Sequence, residues 1–214
     1  PTPTIGMVGL VESMAHVTPS AFQRDGDEIV LLGECTDELG ASEYLLAIHG
    51  LTVGEPPVCD PARERALIDT VLDAIKAGAV RSAHDCSDGG LAVALAECAM
   101  MDRNRPFGFR VDLSAWAMLP HRALLFGEAH GRVVLSTPDS TAVLQIAQRH
   151  GIPARIIGRV VNAESGTSFT ISDDTFTAPV AWLAKAFHEA IPLAMDGDTP
   201  AEQVVSSSHA PTND

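Results

Sequence analysis

Residues 80–97, Val80-Arg81-Ser82-Ala83-His84-Asp85-Cys86-Ser87-Asp88-Gly89-Gly90-Leu91-Ala92-Val93-Ala94-Leu95-Ala96-Glu97, run from a short strand through a glycine turn into a helix. The strand covers 80–84 and the helix runs from Gly90 to about Met101. Two glycines let a backbone approach an anion closely, and the first turn of a helix presents free N–H groups. Asp85 and Ser87 stand where a cation or a phosphate oxygen could be held. The same turn reads equally well as a plain helix cap, since Asp88 before two glycines makes a tight turn unaided. Neither the Walker Gly-Lys-Ser/Thr nor the spaced glycine triplet of a dinucleotide fold is present. Asp85 fits the bland reading least, because a carboxylate at a strand end adds nothing to a turn.

Outward from that stretch the pattern alternates between strands and helices. Upstream, Asp60-Pro61 is an N-cap followed by proline at the first helical position, and Leu67, Ile68, Val71, Leu72 and Ile75 form a helical stripe that stops by Gly78. Gly54-Glu55-Pro56-Pro57 breaks the chain before it, and a short helix over 42–49 closes at Gly50. Residues 28–32 read as a buried strand entered by the Arg24-Asp25-Gly26-Asp27 turn and left at Gly33. Residues 5–12 alternate as a first strand, entered through Pro1-Thr2-Pro3-Thr4. Downstream, strands are expected at 107–113, 132–136 and 154–161, with an edge strand at 168–171. Helices are expected at 139–150 and 178–191, the latter carrying Trp182, Leu183, Ala186 and Phe187. From Met195 the composition is that of a disordered tail. Strand, helix and strand across 132–161 place helices on a layered mixed sheet, an α/β (α+β) fold, in a domain over 1–194 with a tail over 195–214.

Composition narrows the partners. The 214 residues are 46% hydrophobic but only 5% aromatic, so the core is built from Ala, Val, Leu and Ile. Fourteen Lys and Arg face 28 Asp and Glu, a net charge of −14, and such a field repels nucleic acid and anionic lipid. The four cysteines, Cys35, Cys59, Cys86 and Cys98, make no C-x-x-C pair, which argues against zinc and against a disulfide framework. Reduced thiols and a cytoplasmic location are expected. The chain starts at Pro1 without a signal segment and reads as a portion of a longer chain.

Other polar residues divide between chemistry and packing. His84 is a candidate general base but packs as readily at its strand end, and Cys86 is expected to be a buried, inert thiol. Glu128, His130 and Arg132 share a short loop after Leu125-Phe126-Gly127, either near Asp85 or Asp88 for acid–base work or as a polar turn with a charge pair. Glu12 and the acidic run Asp25, Asp27, Glu28 are expected to be solvated surface.

Four motifs in order carry a resemblance: residues 1–10, Leu31-Leu32-Gly33-Glu34 with Leu39-Gly40-Ala41-Ser42-Glu43-Tyr44, residues 83–91, and Leu125-Phe126-Gly127-Glu128 through Arg132-Val133-Val134. Over roughly residues 1–190 the chain resembles the C-terminal portion of the phosphoribosylformylglycinamidine synthases, whose repeated unit is shared with aminoimidazole ribonucleotide synthetase. The resemblance implies the C-terminal-like domain of the second copy, an α/β layered fold partly like the ferredoxin arrangement. It further implies an ATP-dependent ligase of purine biosynthesis, which activates a formyl amide oxygen as an imino-phosphate that glutamine-derived ammonia displaces, with ATP and Mg²⁺ required. Asp85 then matches a metal ligand and Ser87 a nucleotide contact. Gly89 and Gly90 extend that loop as phosphate-facing backbone. No catalytic residue is implied within this chain, because the family's catalytic histidine lies in an upstream domain. Implied partners are those upstream domains, a glutaminase subunit or domain, a small accessory subunit and a ribonucleotide substrate, with neither nucleic acid nor membrane. Alternatives are a non-catalytic assembly module of the same complex, or a relative such as selenophosphate synthetase or thiamine-phosphate kinase, against which the first and last motifs argue.

Overall fold

The computed structural model describes residues 6–195. β1 (Glu28–Leu32) leads through a long segment, residues 33–60, containing α1 (Glu43–His49), to α2 (Pro61–Lys76) and β2 (Ser82–Asp85). There follow α3 (Gly90–Met100), β3 (Phe107–Asp112), α4 (His121–Phe126), β4 (Val133–Thr137), α5 (Ser140–Arg149), β5 (Ala154–Asn162), β6 (Thr167–Ile171), β7 (Asp174–Ala178) and α6 (Val180–Met195). All seven strands join one sheet in the order β2-β4-β1-β5-β3-β6-β7. Only the β3–β6 pairing is parallel, so the expected mixed sheet is present.

The order follows from two crossed connections. β1 and β2 are both antiparallel to β4, and β4 and β5 are both antiparallel to β1. Each βαβ unit, β1-α2-β2 and β4-α5-β5, therefore leaves a gap that a strand of the other fills. That is the split βαβ arrangement of ferredoxin-like domains, here with α3, β3 and α4 inserted.

β1 sits inside the sheet, between β4 and β5, because it is apolar on both faces. Ile29 and Leu31 join one core with Leu91, Leu95, Leu124 and Phe109, under α3 and α4. Val30 and Leu32 join the opposite core with Leu67, Leu135, Val143 and Ala147, under α2 and α5. Helix ends match the local chemistry. The Asp60 carboxylate accepts the Ala62 and Arg63 N–H groups with Pro61 at the first position, Ser42 caps α1, Asp139 caps α5, and Gly50 ends α1 at φ +66°.

Several expectations need correction. Residues 6–12 form no strand and are exposed, Met7, Val8 and Leu10 almost wholly so, because no described strand lies beside them to complete a ladder. Pro1 to Ile5 and the tail from residue 196 lie outside the described residues. The last helix runs on to Met195, past Pro192. The 168–171 segment is not an edge, since β7, unforeseen, covers it. Of the α2 stripe, Leu67 is buried while Ile68 and Leu72 are about half exposed, because the helix packs on the sheet through Leu67, Thr70 and Ala74. Nor is Asp27 solvated surface. It is 5% exposed, with Arg81 Nε 3.0 Å from its carboxylate, and burial pushes its pKa up despite that cation.

Leu31→Ala is expected to lower stability by about 2–5 kcal/mol and Ile68→Ala by less than about 1 kcal/mol, as read from urea unfolding.

Candidate functional site

The glycine turn leaves the sheet at β2, an edge strand whose last residue, Asp85, pairs with Val133. Side-chain alternation then sorts the residues. The Asp85 side chain is 71% exposed and accepts the Ser87 hydroxyl through Oδ2. Cys86 turns into the core, its N–H donating to the Arg132 carbonyl at 3.0 Å. Burial pushes the Cys86 thiol up to about 12, with the Arg132 guanidinium opposing, so it is an inert thiol and not a nucleophile. His84 has Nε2 3.2 Å from Glu97 Oε2 on α3, and Nδ1 2.7 Å from the Asp85 carbonyl oxygen. Its ring fastens strand to helix.

The glycines are needed by sterics. Gly89 and Gly90 have φ of +76° and +68°. A Cβ on Gly90 would lie 2.4 Å from the Gly127 carbonyl oxygen, and one on Gly89 2.4 Å from Val93 Cγ2. The backbone at the start of α3 thus rests against the end of α4. Their amides are also engaged, for Gly90 N–H donates to the Ser87 carbonyl at 3.0 Å and Gly89 N–H to Glu128 Oε1 at 2.8 Å. The same Glu128 oxygen accepts the Glu43 N–H of α1 at 2.9 Å.

The loop after α4 is therefore not a charge pair. Glu128 is brought to the Asp88–Gly89 peptide, as an acceptor for backbone N–H groups rather than as half of an acid–base pair. Arg132, 3% exposed, turns inward and donates from Nε to the Ala129 carbonyl at 3.2 Å and from Nη2 to the Gly127 carbonyl at 2.5 Å. Nothing in the residue types alone distinguishes these roles, and the only hint is the glycine beside Glu128. His130 and Asp88 stay exposed.

A cleft of about 360 Å³ opens beside the turn. Asp85, Ser87, His130 and Arg132, with Glu64 of α2 beside Gly131, form its polar end, and Ile68 and Leu72, the half-exposed part of the α2 stripe, its apolar wall. A smaller cleft of about 210 Å³, on the far side of Glu64 and His130, is lined by Glu34, Glu38, Asp60 and Arg63. Among the described residues no three His, Cys, Asp or Glu side chains converge as a metal cage. The site offers the exposed Asp85 carboxylate and Ser87 hydroxyl, the half-buried Glu64 carboxylate, the exposed His130 and an apolar wall.

Against known proteins, the chain matches the model of "AIR synthase related protein, C-terminal domain" over residues 24–171. It is 42% identical over 206 residues to phosphoribosylformylglycinamidine synthase subunit PurL of Anaeromyxobacter sp. (strain Fw109-5), covering 92% of this chain and 26% of that protein. To the same subunit of Moorella thermoacetica it is 37% identical over 203 residues, covering 91% and 26%. The chain thus spans about a quarter of the length of the curated relatives it matches. Among solved structures it is similar to T. maritima PurL complexed with FGAR, with TM-score 0.68, 23% identity, and 94% of this chain and 32% of that one covered. A hydrogenase maturation protein HypE in complex with ATP superposes with TM-score 0.52 at 17% identity, over 75% of this chain and 52% of that one. At these identities the structures show a shared fold.

Alkylation of the folded chain by iodoacetamide is expected to reach the exposed Cys59 first and to spare the buried Cys86 and Cys98 until the chain is denatured, as read by mass spectrometry.

Proposed function

The chain belongs to the AIR synthase related proteins, as their C-terminal domain, and from that premise we propose that it is the C-terminal domain of a phosphoribosylformylglycinamidine synthase. The whole enzyme would convert formylglycinamide ribonucleotide, ATP and glutamine-derived ammonia to the amidine. This domain would supply one wall of an ATP–Mg²⁺ site and be inactive alone. The observation that carries the reading is the exposed Asp85 carboxylate beside Ser87, at the polar end of a cleft, in a chain whose curated relatives bear that enzyme's name.

The donor set fits a magnesium–nucleotide complex better than a resident metal. Mg²⁺ is commonly held by one or two carboxylates, with waters and phosphate oxygens completing the octahedron, and Asp85 is a single hard donor facing solvent. Ser87 fixes Oδ2 through its hydroxyl, and Oδ1, 3.7 Å from His84 Nδ1, would be the oxygen to face a cation. Bound there, the ion would screen the charge of the transferring phosphoryl group. Ser87 would contact the nucleotide. Gly89 and Gly90 would serve by keeping the turn bare of side chains, their own N–H groups being held by Glu128 and the Ser87 carbonyl.

In the same reading the domain spans residues 1–194 with a tail over 195–214, works in the cytoplasm, and joins upstream domains of its own polypeptide, a glutaminase subunit and a small accessory subunit. A similar solved structure is described as PurLQS from Thermotoga maritima, which supports assembly with partner subunits. Among the described residues no helix is long and apolar enough to cross a membrane. A second reading, a non-catalytic assembly module, is favoured by the exposure of Trp182, Phe187 and Ile191 along α6, Phe187 and Ile191 lying one turn apart on the same face, since exposed apolar surface marks contact faces.

Calorimetry of the full-length synthase with ATP and Mg²⁺ separates the two. Asp85→Ala is expected to weaken binding by about tenfold or more, the scale of losing one charge-assisted contact. Unchanged binding, together with a Trp182→Ala, Phe187→Ala variant that no longer assembles, would establish the assembly reading instead.

A further inference from the structure

Helices α1, α2 and α5 each begin with a side-chain cap from their own chain segment, Ser42, Asp60 and Asp139. α3 does not, because its N-cap is Gly89, which has no side chain. The N–H of that cap residue is instead taken by Glu128, 39 residues away, whose Oε1 also takes the Glu43 N–H, 85 residues away. One carboxylate oxygen thus receives backbone N–H groups from the starts of two helices. Such bonds are charge-assisted, and the helix ends favour the negative charge.

The second helix matters because little else fastens it. α1 has no buried residue, and the 33–60 segment that carries it is held at its start by the Gly33 N–H on the Pro153 carbonyl and the Glu34–Arg63 ion pair, and again beside Glu128. The Tyr44 ring stacks on Phe126 at 5.3 Å and 18°, and a Cβ on Gly127 would lie 2.5 Å from the Glu38 carbonyl oxygen. Residues 126–128 therefore hold the segment on one side and the glycine turn on the other.

We propose that Glu128 is a positioning residue that sets the 85–90 turn and locks it to the 33–60 segment, so that Asp85 and Ser87 share one geometry with that segment. Movement of α1 then reaches the turn directly through the Glu128 carboxylate, beside the main-chain contacts at Gly127. The positioning role rests on the reading of Asp85 and Ser87 as nucleotide–Mg²⁺ contacts, whereas the linkage itself does not.

The test uses the full-length protein, with amide-resolved hydrogen exchange and, on the same preparations, calorimetry with ADP and Mg²⁺. Glu128→Ala is expected to speed exchange at Gly89 and Glu43 together by about tenfold or more, as loss of a charge-assisted hydrogen bond implies, and to weaken nucleotide binding. Glu128→Gln keeps an acceptor oxygen without the charge and is expected to restore both in part, a rescue that general loosening would not give. If the alanine variant does not fold, Glu128→Asp, which keeps the charge but shortens the reach, takes its place. Exchange that rises at one amide without the other overturns the linkage. Paired exchange with wild-type affinity, while Asp85→Ala loses affinity, overturns the positioning role and leaves the nucleotide reading standing. Absence of binding in the wild type removes the nucleotide reading and the positioning role with it, and the paired exchange then decides the linkage alone.

Discussion

Burial of one five-residue strand on both faces organises this molecule. Ile29, Val30, Leu31 and Leu32 are each 1% exposed or less, so β1 requires a layer of helices above and below it and a strand on either side. Both neighbours, β4 and β5, run antiparallel to it and are joined by α5, so one helical connection closes over β1. The two-sided apolar pattern thus fixes the position of α5 and, through β4, the edge position of β2. An edge is where Asp85 must be in order to face solvent while Cys86, one residue on, enters the core.

Backbone contact, rather than side-chain packing, sets the site beside that edge. At Gly90 and Gly127 the end of α4 and the start of α3 touch through main-chain atoms, and at Gly127 the 33–60 segment joins them. Close-packed main chain has no rotamers with which to adapt, so displacement of one partner is passed to the others. The polar end of the cleft is built from rigid parts although it lies at the surface.

Local signals in the sequence were read well where a short stretch decides the outcome. Asp60-Pro61 and Ser42 with Gly50 marked helix ends, and uninterrupted apolar residues marked β1. What failed depended on neighbours distant in the chain. The Ile68 and Leu72 pair belongs to a proper helical stripe, yet whether it meets the sheet or a cleft depends on how far α2 is rolled. β7 alternates Thr175, Phe176 and Thr177 with little burial, which leaves no pattern to find. Residues 6–12 alternate as a strand should and find no described partner, because alternation specifies a face and not a neighbour. In the site, the turn and the exposed Asp85 and Ser87 were legible, while the inward turn of Arg132 and the double acceptance by Glu128 were not. Both depend on carbonyl and amide groups that every residue carries.

Arg132 has a consequence for how this surface can change over time. Surface loops ordinarily absorb insertions and deletions at little cost. Here the guanidinium reaches back to the carbonyls of Gly127 and Ala129, closing residues 127–132 into a ring of fixed circumference, with Cys86 paired to its far side through the Arg132 carbonyl. One residue more or fewer would break the ring and shift Glu128 relative to both amides it accepts. The length of this loop is therefore expected to stay constant wherever the arrangement is inherited, even as the exposed side chain at position 130 drifts.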